Sequence, residues 1–265
     1  MFERTLLLRG LSGARSLSSG ARALSSGARS LSTASVINNQ QPPRLLILGS
    51  GWGAYSLLKA VDRRAFSAQL LSPRNHMLFT PLLTSAATGT LESRSIAQPL
   101  RAQFRDAAFV HWRAVGVDAS RRVVTVCASI CGEAKSEELV YDVLVLATGA
   151  RPATFGTPGV QEHALFLKEL SDAAAIRARL VSNAEAACFP GLSDAERRRL
   201  MSTVVVGGGP TGCELAAEIH DFVRADLGRL YPQLRELVSI TVVEASPKGV
   251  LGGFEDSLRS YALRQ

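Results

Sequence analysis

The sequence predicts an α/β fold of two Rossmann-like dinucleotide-binding domains in tandem, and three observations predict it. Two apolar strand-length runs, "RLLILG" and "STVVVGGG", each lead into a glycine-spaced turn and then into a stretch with helical apolar spacing. Each unit is followed by a second apolar strand, "SAQLLSPRN" in the first and "VSITVVEAS" in the second. Between the units, "LVYDVLVLATGARPATFGTPG" reads as one strand ending at Ala147, Thr148 and Gly149, followed by a Pro/Gly-rich passage. The chain divides accordingly into an address segment at 1–37, a linker at 38–43, a first nucleotide domain at 44–160 and a second at 161–265, incomplete at its C-terminus.

Residues 1–35 repeat an L-S-S-G-A-R unit, are rich in Ser, Ala and Arg, and contain Glu3 as their single acid. Arg15, Arg22 and Arg29 recur at seven, and Leu17, Leu24 and Leu31 follow two places later. On a helix the two rows lie about 200° apart, one face cationic and one apolar. Gly13, Gly20 and Gly27 disfavour a helix in water, so the segment reads as a transit peptide that folds against a receptor or membrane. A membrane potential negative inside draws such arginines, which points to the mitochondrion. The polar, proline-stopped "NNQQPP" follows as a linker.

In "RLLILGSGWGAYSLLKAV", Gly49, Gly51 and Ala54 have G-x-G-x-x-[GA] spacing in the strand-turn-helix setting that a dinucleotide cradle requires. Gly49 permits the tight turn, Gly51 lets the backbone approach a pyrophosphate, Ala54 allows close helix packing, and Gly53 adds clearance. The acid that normally holds the adenine ribose is replaced by Ser72, 23 residues after Gly49. Ser72 is therefore either the end of a strand closing in a Ser-Pro turn or a weaker ribose contact, with Arg74 close to the phosphates or adenosine.

The second cradle, "VVVGGGPTGCELAAEIHDFV", has full G-x-G-x-x-G spacing at Gly207, Gly209 and Gly212, with Pro210 and Thr211 opening a helix. Ser193 and Glu196 form a capping-box pattern on a short basic helix just upstream. Glu244 ends the following strand 37 residues after Gly207, because "RADLGRLYPQLREL" lengthens the connection. An acid there accepts from the 2′-hydroxyl of NADH and repels the 2′-phosphate of NADPH. Two cradles in one chain imply two nucleotides: a flavin held by the first and a nicotinamide delivered by the second.

Other classes are excluded. The formal charge of +7 falls to +3 once the five arginines and one acid of residues 1–35 are removed, so no polyanion-binding body, and no nucleic-acid partner, is expected. No apolar run approaches a membrane span. Cys127, Cys131, Cys188 and Cys213 form neither a disulfide framework nor a metal-ligand set, so no metal is expected.

From about Arg44 to Ser257 the sequence resembles the mitochondrial type II NADH dehydrogenases, the rotenone-insensitive single-subunit NADH:quinone oxidoreductases. The residues that carry the likeness are "LGSGWGA", "LLSPRNHMLFTPLL", "TGTLESRSIAQPLR", "VLVLATGARP", "VVVGGGPTGCELAAEIHDFV" and "VEA". The resemblance implies a pyridine nucleotide-disulfide oxidoreductase-like fold, FAD as cofactor, NADH as electron donor, ubiquinone as acceptor, and a place at the periphery of the mitochondrial inner membrane. It implies that Thr80, Pro81 and Leu82, which the residues alone suggest form a buried turn, run beside the flavin ring, and that Thr148 and Gly149 line the flavin site. It also implies that Glu214 faces the junction of nicotinamide, flavin and quinone, where the residues alone suggest an acid favoured by a helix N-terminus. Glu218, on the same helical face, is expected to pair or to be solvated. Cys213 reads as packing. A homodimer is compatible with the resemblance.

Members of that family are longer, and their membrane contact lies in C-terminal helices beyond Gln265. The 265-residue chain is therefore expected to be soluble, to hold little FAD alone and to show no turnover. Two alternatives stand beside this reading: another two-cradle flavoprotein such as a ferredoxin reductase relative, and a non-catalytic nucleotide-binding fragment. Disulfide reductases are disfavoured, since their C-x4-C pair has no counterpart between Tyr55 and Arg64.

Overall fold

A computed structural model describes residues 41–264 apart from Asp106 and Cys131. The address segment and residues 38–40 of the linker lie outside the described residues. Strand β1 (Arg44–Leu48), helix α1 (Trp52–Ala60) and strand β2 (Ser67–Leu71) form the expected β-α-β unit. Its strands pair in parallel, with Leu46 opposite Gln69. The chain continues through β3 (His76–Leu78), a 3-10 turn at Thr80–Leu82, α2 (Leu83–Thr88), β4 (Ala97–Pro99), α3 (Leu100–Gln103) and β5 (Ala108–Val110). Then comes an antiparallel meander of β6 (Arg113–Asp118), β7 (Val123–Ile130) and β8 (Glu133–Val140), and finally β9 (Val143–Leu146).

Strands β5, β2, β1 and β9 make a parallel sheet in that order. One face packs Leu45, Ile47 and Leu70 against Ala54 and Leu58 of α1, and the other packs Leu46, Leu48 and Leu71 against Val124, Val126 and Tyr141 from the meander side. A parallel sheet covered on both faces requires such uninterrupted apolar strands.

The passage read as one strand is two. Leu139 and Val140 end β8, and Val143 begins β9. The break has a physical cause: Tyr141 is buried and its amide donates to Arg122, while Asp142 turns back onto Arg44 through both its amide and its carboxylate. The chain passes there from the antiparallel meander into the parallel sheet.

The second half comprises α4 (Val160–His163), α5 (Leu170–Ala187), α6 (Asp194–Leu200), β10 (Ser202–Val206), α7 (Pro210–Phe222), a π-type turn, α8 (Gly228–Leu230), a 3-10 segment at Pro232–Leu237, β11 (Ser239–Val243) and α9 (Asp256–Ala262). The capping box of α6 is formed: the Ser193 amide donates to Glu196 at 2.8 Å and the Glu196 amide to Ser193 at 3.3 Å. Strands β10 and β11 pair in parallel, with Val205 opposite Val242. A core of Ala184, Ala187, Ile219, Phe222, Leu227 and Leu234 packs α5, α7 and the connection together. Another core joins the halves, with Leu78, Leu83, Ala86 and Ala87 meeting Ala173 and Ile176 of α5. Among the described residues no helix is long and apolar enough to cross a membrane.

Candidate functional site

In the first glycine turn Gly49 sits at φ +115°, and a Cβ there would overlap the carbonyl oxygen of Ala147. Only glycine fits. Its amide donates 2.8 Å to Leu71, which ties the turn to the end of β2. Ala54 is wholly buried at the close approach of α1 to the sheet. At Gly51 a Cβ would meet nothing nearer than the Arg74 guanidinium, 3.9 Å away, so the backbone there is open to a ligand. At Gly53 the nearest atom would be the Ala147 methyl at 3.8 Å. The Ala147 amide donates 2.8 Å to Leu48, which sets Thr148 and Gly149, both exposed, beside the turn.

The residue in the place of the ribose acid is engaged within the protein. Ser72 is buried, its hydroxyl lies 2.9 Å from that of Ser50 within the glycine turn, and it accepts the Arg74 amide at 3.1 Å. These bonds serve the turn, and Ser72 stays a proposed ribose-side residue beside Arg74. Arg74 is the group turned toward the cradle: its Nε donates to Ser50 at 3.1 Å and its Nη1 to Glu169, the residue preceding α5, at 2.6 Å.

Thr80, Pro81 and Leu82 are exposed, against the expectation of a buried turn. The core below is filled by Leu83, Ala86 and Ala87, which leaves the preceding turn on the outside. The Trp52 indole, from the first glycine turn, donates 3.1 Å to the Thr80 hydroxyl and lies 5.3 Å from the Phe79 ring. Trp52, Tyr55, Met77, Phe79 and Ile96 line a recess of about 250 Å³ beside it.

The second turn repeats the first. Gly207 sits at φ +111° and donates 2.8 Å to Val243, and a Cβ on Gly212 would overlap the Gly207 carbonyl. A Cβ on Gly209 would meet nothing within 4 Å. Pro210 and Thr211 are exposed at the start of α7, where free amides and the helix dipole favour an anion. Glu244 reaches back across the turn: one oxygen accepts the Gly208 amide at 2.7 Å and the other the Ser246 amide at 2.6 Å. These two bonds, Ser246 first, hold its carboxyl below the usual range. Leu251 also donates to the Gly208 carbonyl at 2.6 Å, so the segment after Glu244 straps over the turn.

Glu214 is exposed on α7 and lines a recess of about 260 Å³ with Pro81, Thr84, Ser85, Glu218 and Asp221. Glu214 and the Thr80–Leu82 turn, far apart in sequence, therefore face one space. The Cys213 thiol points to the Gly208 carbonyl at 3.6 Å, and burial, then the nearby Glu214 and Glu244 carboxylates, push it up, so it is a poor thiolate.

Residues 43–265 match the family model described as pyridine nucleotide-disulphide oxidoreductase. The chain belongs to that family. It is 42% identical over 225 residues to the external alternative NAD(P)H-ubiquinone oxidoreductase B4, mitochondrial, of Arabidopsis thaliana, covering 83% of this chain and 38% of that protein. It is 45% identical over 225 residues to the external alternative NADH-ubiquinone oxidoreductase, mitochondrial, of Yarrowia lipolytica, covering 82% and 38%. The structure of NDH2 from Plasmodium falciparum in complex with NADH superposes with a TM-score of 0.79 at 30% identity, over 83% of this chain and 45% of that one. The chain thus spans about two fifths of the length of these curated relatives. The resemblance drawn from the sequence is borne out.

Within the family, this chain lacks a cysteine on α1, so the thiol chemistry of its disulphide-reducing members has no counterpart there. Sequence reasoning missed Trp52, Ser50, Glu169 and Gly208. An aromatic residue inside a glycine turn was the available signal for Trp52. Nothing local marks Glu169, which meets Arg74 from 95 positions away.

Proposed function

We propose that the chain is the flavin- and NADH-binding portion of a type II NADH:ubiquinone oxidoreductase. The observation that carries this reading is the shared recess in which Glu214, two residues past the last glycine of the second cradle, meets Pro81 of the turn beside the first. The names of the curated relatives and the NADH complex of the Plasmodium falciparum neighbour support it.

The residues present fit FAD. Gly49 and Gly53 keep the turn tight and clear, Gly51 offers backbone where no Cβ stands, Ala54 seats α1, and Arg74 supplies a fixed cation beside the pyrophosphate path. Thr80, Pro81, Leu82, Thr148 and Gly149 present an exposed rim for the ring and ribityl. When bound, FAD supplies two-electron redox chemistry that no side chain here provides. Gly207, Gly209, Thr211 and Gly212 offer NADH the second cradle, and Glu244 holds its adenine ribose. Glu214, lining the recess between the two cradles, would face the nicotinamide. Electrons pass to ubiquinone. The place of action is the periphery of the mitochondrial inner membrane, with membrane contact only through the C-terminal part that the longer relatives carry and a homodimer compatible with the reading.

The test is flavin absorption and NADH oxidation with a soluble quinone, for this chain and for a fusion to the C-terminal part of the Yarrowia lipolytica relative. The fusion is expected to be yellow and to oxidise NADH. A colourless, inactive fusion overturns the reading.

A further inference from the structure

The short helix α2 is held by charged groups from the other half of the protein at two points. On its side, Glu218 of α7 accepts from Ser85 at 2.6 Å and from Thr90 at 2.8 Å, with a longer contact of 3.2 Å from Thr88. At its end, Arg177 of α5 donates to the Thr88 carbonyl and lies over the Phe222 ring of α7 at 5.6 Å. Gly89, at φ +81°, closes α2, and a Cβ there would occupy the place of the Arg177 guanidinium. Anion meets hydroxyl donors and cation meets the carbonyl end of a helix, so each contact has favourable polarity.

We propose that Glu218 and Arg177 are positioning residues, a two-point clamp on α2 that fixes the first nucleotide cradle relative to the second. The two helices so joined carry the parts that must meet. The Thr80–Leu82 turn leads directly into α2, and α7 carries Gly212, Glu214 and, one turn on, Glu218. A six-residue helix does not hold its own geometry in water, so its orientation is set by what grips it. The packed residues Ala86, Ala87, Ala173 and Ile176 are small or weakly directional and permit sliding. Directional hydrogen bonds to a charged group do not. Assigning the two cradles to flavin and nicotinamide rests on the function proposed above; the clamp itself does not.

The experiment measures the spacing between halves. Nitroxides are placed at Lys135→Cys in β8 and Ala195→Cys in α6, both exposed, with the native cysteines changed to alanine, and the distance distribution is read by pulsed electron resonance. A single narrow distance is expected for the unsubstituted chain. Glu218→Ala should broaden or shift it, and Glu218→Gln, which keeps one acceptor and can donate to a hydroxyl, should restore most of it. Thr90→Val, which removes one exposed donor, gives an intermediate width should Glu218→Ala fold poorly. An unchanged distance in Glu218→Ala or Thr90→Val, with circular dichroism intact, overturns the clamp. In the flavin-loaded fusion to the C-terminal part of the Yarrowia lipolytica relative, Glu218→Ala should slow flavin reduction by about tenfold with NADH affinity unchanged, as misplacement rather than lost binding predicts. A broadened distance with an unaltered reduction rate reduces the contact to a structural one and also overturns the proposal. Failure of the unsubstituted fusion to reduce flavin overturns the proposed function while leaving the distance result to decide the clamp.

Discussion

Glu244 has both carboxylate oxygens occupied by backbone amides, Gly208 at 2.7 Å and Ser246 at 2.6 Å, so its charge is placed at the cradle before any ligand arrives. The carboxyl is held below the usual range, and it stays ionised throughout the neutral region. A fixed negative charge at a ribose site discriminates against an added phosphate more sharply than a mobile one, because it cannot swing away. Glu244→Gln keeps one acceptor and removes the charge. Its preference for NADH over NADPH should narrow by about tenfold, measured as the ratio of dissociation constants. Glu244→Ser should go further, since it also releases the Ser246 turn. Equal affinity for the two coenzymes before mutation would remove Glu244 from this role. The position of Glu244 was readable because the end of a second strand is a fixed place in the motif. Its partners were not, because amides have no letter in the sequence. Ser72 is ambiguous for the related reason that a hydroxyl at the same place serves equally well to close the turn on Ser50.

Strands are where the sequence was least informative. Strand β8, "EAKSEELV", is exposed along nearly all its length and has no apolar face, so no alternation announces it. It exists because β7 offers an edge, with Ser136 opposite Cys127 and the Ser136 hydroxyl donating to Val126 at 3.1 Å. The break after β8 is likewise made by partners distant in sequence. Arg44 gives its amide, its Nε and its Nη2 to Asp142 at 2.8, 3.0 and 3.1 Å, which pins the start of β9 to the start of β1. The Arg44 guanidinium, and then its amide, lower the Asp142 carboxyl from 3.8 to about 2. A depressed acid contributes stability that is complete above its unfolded value and is lost as pH falls through the folded one. Acid unfolding should therefore lose this contribution between about pH 4 and pH 2. Asp142→Ala should cost only about 0.5 to 1 kcal/mol at neutral pH, because the pair is half-exposed and screened. It should also flatten the acid limb of a urea-midpoint against pH curve, and an unchanged limb would show that Asp142 does not carry it.

At the scale of the whole molecule, two cradles could be read one by one but not their relation, because α2, the element of the first half that meets α5, is short and composed mostly of small residues. The sequence of α2, "LTSAAT", marks no interface, yet Leu83, Ala86 and Ala87 share one core with Ala173 and Ile176 of α5. Leu180 and Leu215 pack against this core and against that of the second half alike, so the apolar interior is continuous from α2 and β3 of the first half into the second. Continuity of that kind makes two β-α-β units unfold together, since opening either exposes surface that the other has buried. Ile176 is the largest side chain on the α5 side of the junction and is 8% exposed. Ile176→Ala leaves a cavity between α5 and α2 and should destabilise by about 2 to 4 kcal/mol. The loss falls on the coupling between the halves, so calorimetry should show one transition in the unsubstituted chain and two resolved transitions in Ile176→Ala. Leu234→Ala, in the core of the second half alone, should lower stability by a similar amount while the single transition, if the halves are coupled as described, is retained. Two transitions in the unsubstituted chain, or one in Ile176→Ala at an unshifted midpoint, would mean that the shared core does not bind the halves into one cooperative unit.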